Sequence, residues 1–213
     1  MIICSNPIPF LFIRVPKTAS TSIEHTLLIH QDEILKKYLQ HGIHGNPGKM
    51  NKSHITANTV KNILGKDLYD RFFSFAFVRN SFARMASWFS YSRKNDDILM
   101  NYKFQYDEIT DLQKIFEMFL IQFYDIRPFY FNQKNWIYDN SGKRLVNYIG
   151  NYATLKKDFD KICNIIKLPI ADLPHLMVIN GNKCEKFYNN KTIKMVNKMC
   201  SDEIKFFGFR FGE

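Results

Sequence analysis

The four cysteines of this 213-residue sequence, Cys4, Cys163, Cys184 and Cys200, form no Cys-x-x-Cys pair and no compact cluster with histidine. That spacing excludes the usual structural zinc arrangements and fits a reduced, cytoplasmic protein with no metal. Apolar runs are short, well under the roughly 18 residues a membrane helix needs, so no stable membrane insertion is expected. A basic start followed by an apolar stretch and a small-residue cleavage site is also missing, which argues against secretion. The Gly-x-x-x-x-Gly-Lys-(Ser/Thr) loop of ordinary nucleoside triphosphate enzymes does not occur. Repeats and low-complexity tracts are lacking, and 23% charged against 46% hydrophobic residues excludes disorder as the main state.

Aromatic residues and positive charge are what the chain has in excess. It carries 20 Phe and 11 Tyr, so the core and any acceptor cleft should be rich in rings. Lys and Arg number 30 against 20 Asp and Glu, a net charge of +10. Such a field favours anionic partners: nucleotides, sulfated substrates, nucleic acid or acidic lipid. An AT-rich coding bias toward Lys, Asn and Ile would give the same excess, so charge alone does not choose.

Residues 8–15, IPFLFIRV, read as a buried strand ending at Pro16, followed by the polar loop KTASTS and a helix carrying Ile23, Leu27 and His30 at helical spacing. His41 to His54, with three Gly and a Pro, reads as a surface loop. TANTVKNILG is a short helix closed by Gly65, suited to a left-handed cap. Phe72 to Arg79, FFSFAFVR, is a second strand that enters a helix over about Ser81 to Ser92. Residues 107–131 read as helix up to Pro128, RLVNYIG as a strand ending at Gly150, and YATLKKDFDKICNII as an amphipathic helix ending near Pro169. The tail is one helix followed by FFGF, whose Phe206, Phe207 and Phe209 should return to the core. Two strand-loop-helix units in series predict a single α/β domain over residues 1–213, with a central mostly parallel sheet flanked by helices and a P-loop-like nucleotide-binding architecture.

Two constellations carry chemistry. Pro16, Lys17, Thr18, Ala19, Ser20, Thr21 and Ser22 lie after a strand and open a helix, and they supply N–H donors, hydroxyls and a cation for a phosphate or phosphosulfate. The alternative is a helix N-terminus whose Ser and Thr act only as caps. Arg79 and Ser87 span a strand end and the first turns of a helix, where ligands of such sheets sit, and Arg79 suits bidentate phosphate recognition. Arg84 reads equally as a ligand contact or a structural ion pair.

FIRVPKTASTSIEHTL resembles the 5′-phosphosulfate loop of the sulfotransferase superfamily, whose carbohydrate-type (family 2-like) members read apolar-Pro-Lys-Thr-Gly-(Gly/Ser)-Thr-Ser. FAFVRNSFARMASWFSY is similar to that family's 3′-phosphate motif. SHITANTVKNILG, YIGNYATLKKDF, LPHL and the closing helix with FFGF follow in the family's order over nearly the whole chain.

The resemblance implies a sulfotransferase that uses 3′-phosphoadenosine 5′-phosphosulfate and sulfates a hydroxyl or amine of an unidentified acceptor, a saccharide among the candidates. It implies that Lys17 contacts the bridge between phosphate and sulfate, that Thr18, Ala19, Ser20, Thr21 and Ser22 cradle the 5′ side, and that Arg79 and Ser87 hold the 3′-phosphate. Lys183 and Lys186 fall where related enzymes have a basic loop, and His54 falls where they carry a His near the acceptor, which makes it the candidate base. The alternative for His54 is a capping or surface residue; His25, His41, His44 and His175 are not assigned to the chemistry. Ala19 stands where the family has Gly, which requires negative φ there. Ser81 replaces its Pro, and Asn151 its Arg.

Three rivals stay open. A kinase-like phosphotransferase predicts a glycine-rich loop and a metal-binding carboxylate at a strand end. A nucleic-acid or polyanion binder predicts basic residues clustered on one face, whereas here they are spread along the chain, so nucleic acid is not the expected partner. An inactive homologue that binds cofactor is the third.

Overall fold

The computed structural model describes residues 1–5, 7–42, 54–94, 111–170, 172–174 and 184–213. In chain order its strands and helices are β1 Ile2–Cys4, β2 Phe10–Phe12, α1 Ser20–Leu27, α2 Glu33–Gly42, α3 Ala57–Leu64, α4 Lys66–Tyr69, β3 Phe73–Val78 and α5 Ser81–Lys94. They continue with α6 Leu112–Ile126, α7 Lys134–Ile137, β4 Tyr148–Asn151, α8 Leu155–Ile166, α9 Asn190–Met199 and α10 Ser201–Phe207. These form two compact units, Met1–Val78 with Lys134–Met177 and Arg79–Gln133 with Val178–Glu213.

The first unit is built on a four-stranded sheet of order β1-β2-β3-β4. β2, β3 and β4 are parallel, and β1, which the sequence did not announce, pairs antiparallel with β2. Alternation along the strands sends Phe10, Phe12, Phe75 and Phe77 to one face, where Ile23 and Leu27 of α1 and Phe159, Ile162, Cys163 and Ile166 of α8 cover them. Burial of rings and branched aliphatics on that face, each worth about 1.5–3 kcal/mol, fixes the register, because a one-residue slip would turn the Phe row to the opposite face.

Gly150 is required here by space. A Cβ at that position would lie 2.4 Å from the Phe77 ring, its partner in the β3–β4 ladder. Gly65, between α3 and α4, has φ 77° and ψ 156°. The positive φ fits glycine, but the residue lies in an extended region outside the left-handed helical cap that was expected.

In the second unit α5 and α6 bring Trp88, Phe89, Phe116, Phe119 and Phe123 together with Phe187 and Tyr188, ring centroids of adjacent members lying 4.8–5.4 Å apart in tilted and edge-on pairs. The surplus of aromatic residues thus makes a core. α6 begins at Asp111, whose carboxylate accepts from the N–H groups of Gln113 and Lys114, and ends before Pro128.

The tail departs from expectation. It is two helices, α9 and α10, broken at Cys200 (φ −106°). Phe209 is buried and its ring stacks on Phe207 at 5.3 Å, but Phe206 is 50% exposed. The positive φ of Gly208 turns the chain after α10, so only the ring beyond it is buried and Phe206 is left on the helix surface.

Candidate anion-binding site

The first segment of the site leaves β2 through Ile13, whose N–H donates to the carbonyl of Phe75 at 2.9 Å. Thr18 then closes a tight turn, its hydroxyl donating to the Val15 carbonyl at 2.9 Å. Lys17 (φ 66°) and Ala19 (φ 63°, ψ 17°) on either side are both left-handed. This overturns the expectation of negative φ at Ala19. An L-residue in that conformation costs roughly 1–2 kcal/mol, and two in three residues persist only where surrounding structure imposes them.

Ala19 is the N-cap of α1, its carbonyl accepting from Ile23 N–H at 3.1 Å, and the helix has no side-chain cap. A role for the Ser and Thr residues as caps is thereby excluded at this helix start. Backbone N–H groups of the first turn lack the oxygen that a Ser, Thr or Asp at the N-cap would give them. Thr18, Ser20 and Ser22 are buried, Thr21 is exposed and Lys17 is half-buried. Strain at Ala19 is directly measurable: Ala19→Gly should raise stability by about 0.5 kcal/mol and Ala19→Val should lower it by about 2 kcal/mol in urea unfolding. A Gly variant that loses stability would contradict the left-handed backbone.

Beside this loop stand a buried arginine and a histidine. The Arg14 guanidinium is ion-paired with Glu24 of α1, and the Arg14 carbonyl lies 2.9 Å from His54 Nδ1. A carbonyl only accepts, so Nδ1 carries the proton and Nε2 presents its lone pair. Burial, reinforced by the positive charges of Arg14 and Lys17, pushes the His54 pKa from 6.5 down to about 4. His54 is therefore neutral at pH 7. The cap of the following helix is Thr56, whose hydroxyl accepts from Thr59 N–H at 3.1 Å, so His54 does not cap it, and the His54 side chain is part-buried.

In the second unit, Arg79 and Ser87 are buried, 6% and 5% exposed. Arg84 is fully buried and paired with Glu203 at 3.0 Å, while its Nη1 donates to the Tyr130 carbonyl at 2.7 Å. Its two readings resolve in favour of the structural ion pair. The Ser81 hydroxyl, where the family has proline, donates to the same Glu203 carboxylate. Burial raises the Cys184 thiol pKa, and the positive charge of Arg79 opposes the shift.

Lys183, His175 and His44 lie outside the described residues. Lys186 is exposed, its ammonium 5.2 Å from the Phe187 ring centroid. Asn151 accepts from Ala153 N–H at 3.0 Å and its own N–H donates to Asp158 at 2.9 Å, so it caps a local turn. Gln133 and Glu203, both fully buried, were not picked out from the sequence, because a single Gln and a single Glu in segments of mixed polarity give no signal. Among the described residues no group of three or more His, Cys, Asp or Glu is placed to hold a metal ion, and no helix is long and apolar enough to cross a membrane.

The family model described as "Sulfotransferase family" matches residues 1–210. An uncharacterized protein of Archaeoglobus fulgidus is 26% identical over 121 residues, 52% of this chain and 80% of that protein. No solved structure matches the chain.

Proposed function

Because the chain belongs to the sulfotransferase family, we propose that it takes a sulfuryl group from 3′-phosphoadenosine 5′-phosphosulfate and delivers it to a hydroxyl or amine of an acceptor. The observation that carries this reading is the loop from Lys17 to Ala19, two left-handed L-residues leading into a helix start with no side-chain cap. Strain of that kind is kept where backbone N–H groups must point at a ligand, and a helix N-terminus with an adjacent lysine suits an anion.

Lys17, Thr18, Ala19, Ser20, Thr21 and Ser22 would hold the 5′ end of the donor, and Arg79 and Ser87 its 3′-phosphate. Bound there, the donor supplies an activated sulfuryl group. Lys17 places a cation where negative charge grows on the leaving phosphate oxygen, which favours the transition state over the ground state. His54 Nε2, aimed by the Nδ1–H bond to the Arg14 carbonyl, takes the acceptor proton. A pKa near 4 makes it a weak base in the free protein, and anionic charge brought in beside Lys17 and Arg14 would raise it.

Calorimetric titration tests the reading. The protein should bind 3′-phosphoadenosine 5′-phosphate more tightly than adenosine 5′-phosphate. Arg79→Ala should weaken the first by about 2–4 kcal/mol, as for removal of a charge-assisted partner from a partly desolvated site, and change the second little. Equal losses for both ligands would remove Arg79 from the 3′-phosphate.

A further inference from the structure

Both polar atoms of the Gln133 side-chain amide bond to the backbone of one residue. Its Oε1 accepts from the Arg79 N–H at 2.8 Å and its Nε2 donates to the Arg79 carbonyl at 2.9 Å. In a sheet, a neighbouring strand gives a residue this two-point pairing. Here a side chain supplies it, to the residue that directly follows β3.

The clamp is itself anchored. The Gln133 N–H donates to one oxygen of Glu203, whose other oxygen accepts from Ser81 Oγ and Arg84 Nη2. Gln133, Arg84 and Glu203 are all fully buried. Water does not compete for these bonds, and although the Arg84 Nε has no partner, bonds that converge on one buried carboxylate in this way hold their members rigidly. Such a network could serve folding alone. Its convergence on the peptide groups of Arg79, the residue proposed to grip the 3′-phosphate, points to a further role, because bidentate recognition tolerates little error in where the guanidinium starts.

We infer that Gln133 is a positioning residue that sets Arg79 for discrimination of the 3′-phosphate. The inference rests on the function proposed above and adds to it the residue on which nucleotide selectivity depends. Gln133→Met keeps the length and removes both bonds. It should weaken binding of 3′-phosphoadenosine 5′-phosphate by about tenfold, a loss of the size one or two hydrogen bonds carry, and leave adenosine 5′-phosphate unchanged. In the Arg79→Ala background the same substitution should have no further effect, since the coupling is indirect and passes through Arg79.

Gln133→Asn, polar and one methylene shorter, should give the same selective loss and serves if the Met variant does not fold. Equal weakening of both nucleotides, or a loss that adds fully to that of Arg79→Ala, would make the clamp merely structural and overturn the inference. A wild-type protein that does not distinguish the two nucleotides would overturn the 3′-phosphate reading itself. Selectivity kept in the Gln133 variants, with wild type selective, would overturn the positioning role alone.

Discussion

Lys17→Ala should lower turnover by about 10²–10³-fold for every acceptor, the loss expected when one transition-state donor is removed from a preorganised site. The substitution is a clean test because Lys17 is left-handed (φ 66°) and alanine incurs about the same backbone cost, so strain cancels between the two proteins. Binding of 3′-phosphoadenosine 5′-phosphate should fall much less than the rate of the chemical step, since charge on the leaving oxygen is largest in the transition state. Single-turnover rates at saturating donor measure this. A loss below tenfold, with chemistry limiting, would take Lys17 out of the leaving-group role.

His54→Ala should lower the rate with an alkyl alcohol by about 10²–10⁴-fold, and by much less with an acidic phenol, whose proton leaves with little help. The Lys17 defect should persist with both acceptors, which separates the two roles. A full rate with the alcohol in His54→Ala would send the search for the base elsewhere.

The same residue gives the protein a pH signature. Its pKa is near 4 in the folded state against 6.5 ordinarily, so the unfolded chain binds a proton at His54 before the folded protein does. Folding stability is therefore unaffected by this group above pH 6.5, falls as the pH drops toward 4 and levels off below it, by roughly 3 kcal/mol in all. His54→Ala should flatten the dependence of unfolding free energy on pH across that window. An unchanged slope would mean that His54 is not held neutral.

Much of the candidate site was legible in the residues. The run from Pro16 to Ser22 after an apolar strand, and Arg79 at the end of another, stood out because strand periodicity and small-residue loops are local signals. Boundaries were less clear: the first apolar run yields only Phe10–Phe12 as a strand, and the tail breaks at Cys200. Phe206 was expected inside and lies outside, because the count of rings in a segment does not say which way each one points. Gly150 looked like a strand end, whereas its need is set by Phe77, 73 residues earlier, across the ladder.

By itself the sequence determined the order of the three parallel strands and of the main helices between them, and the residue types that could meet an anion, and it carried the family resemblance. The elements follow from neighbours along the chain, through side-chain periodicity and loop composition, and the resemblance from the two motifs and the order of the segments around them. Tertiary structure alone decided three things. It imposed left-handed backbone on Ala19, a residue with no preference for it, and placed this residue at the helix start. It made His54 a neutral imidazole with a defined tautomer by burying it against the carbonyl of Arg14, 40 residues away. It joined Arg84 and Gln133 to Glu203 across separations of 119 and 70 residues. Burial and hydrogen-bond closure depend on which groups meet in space, and a charge that looks solvated in one segment becomes the centre of a buried network once its partners arrive from others.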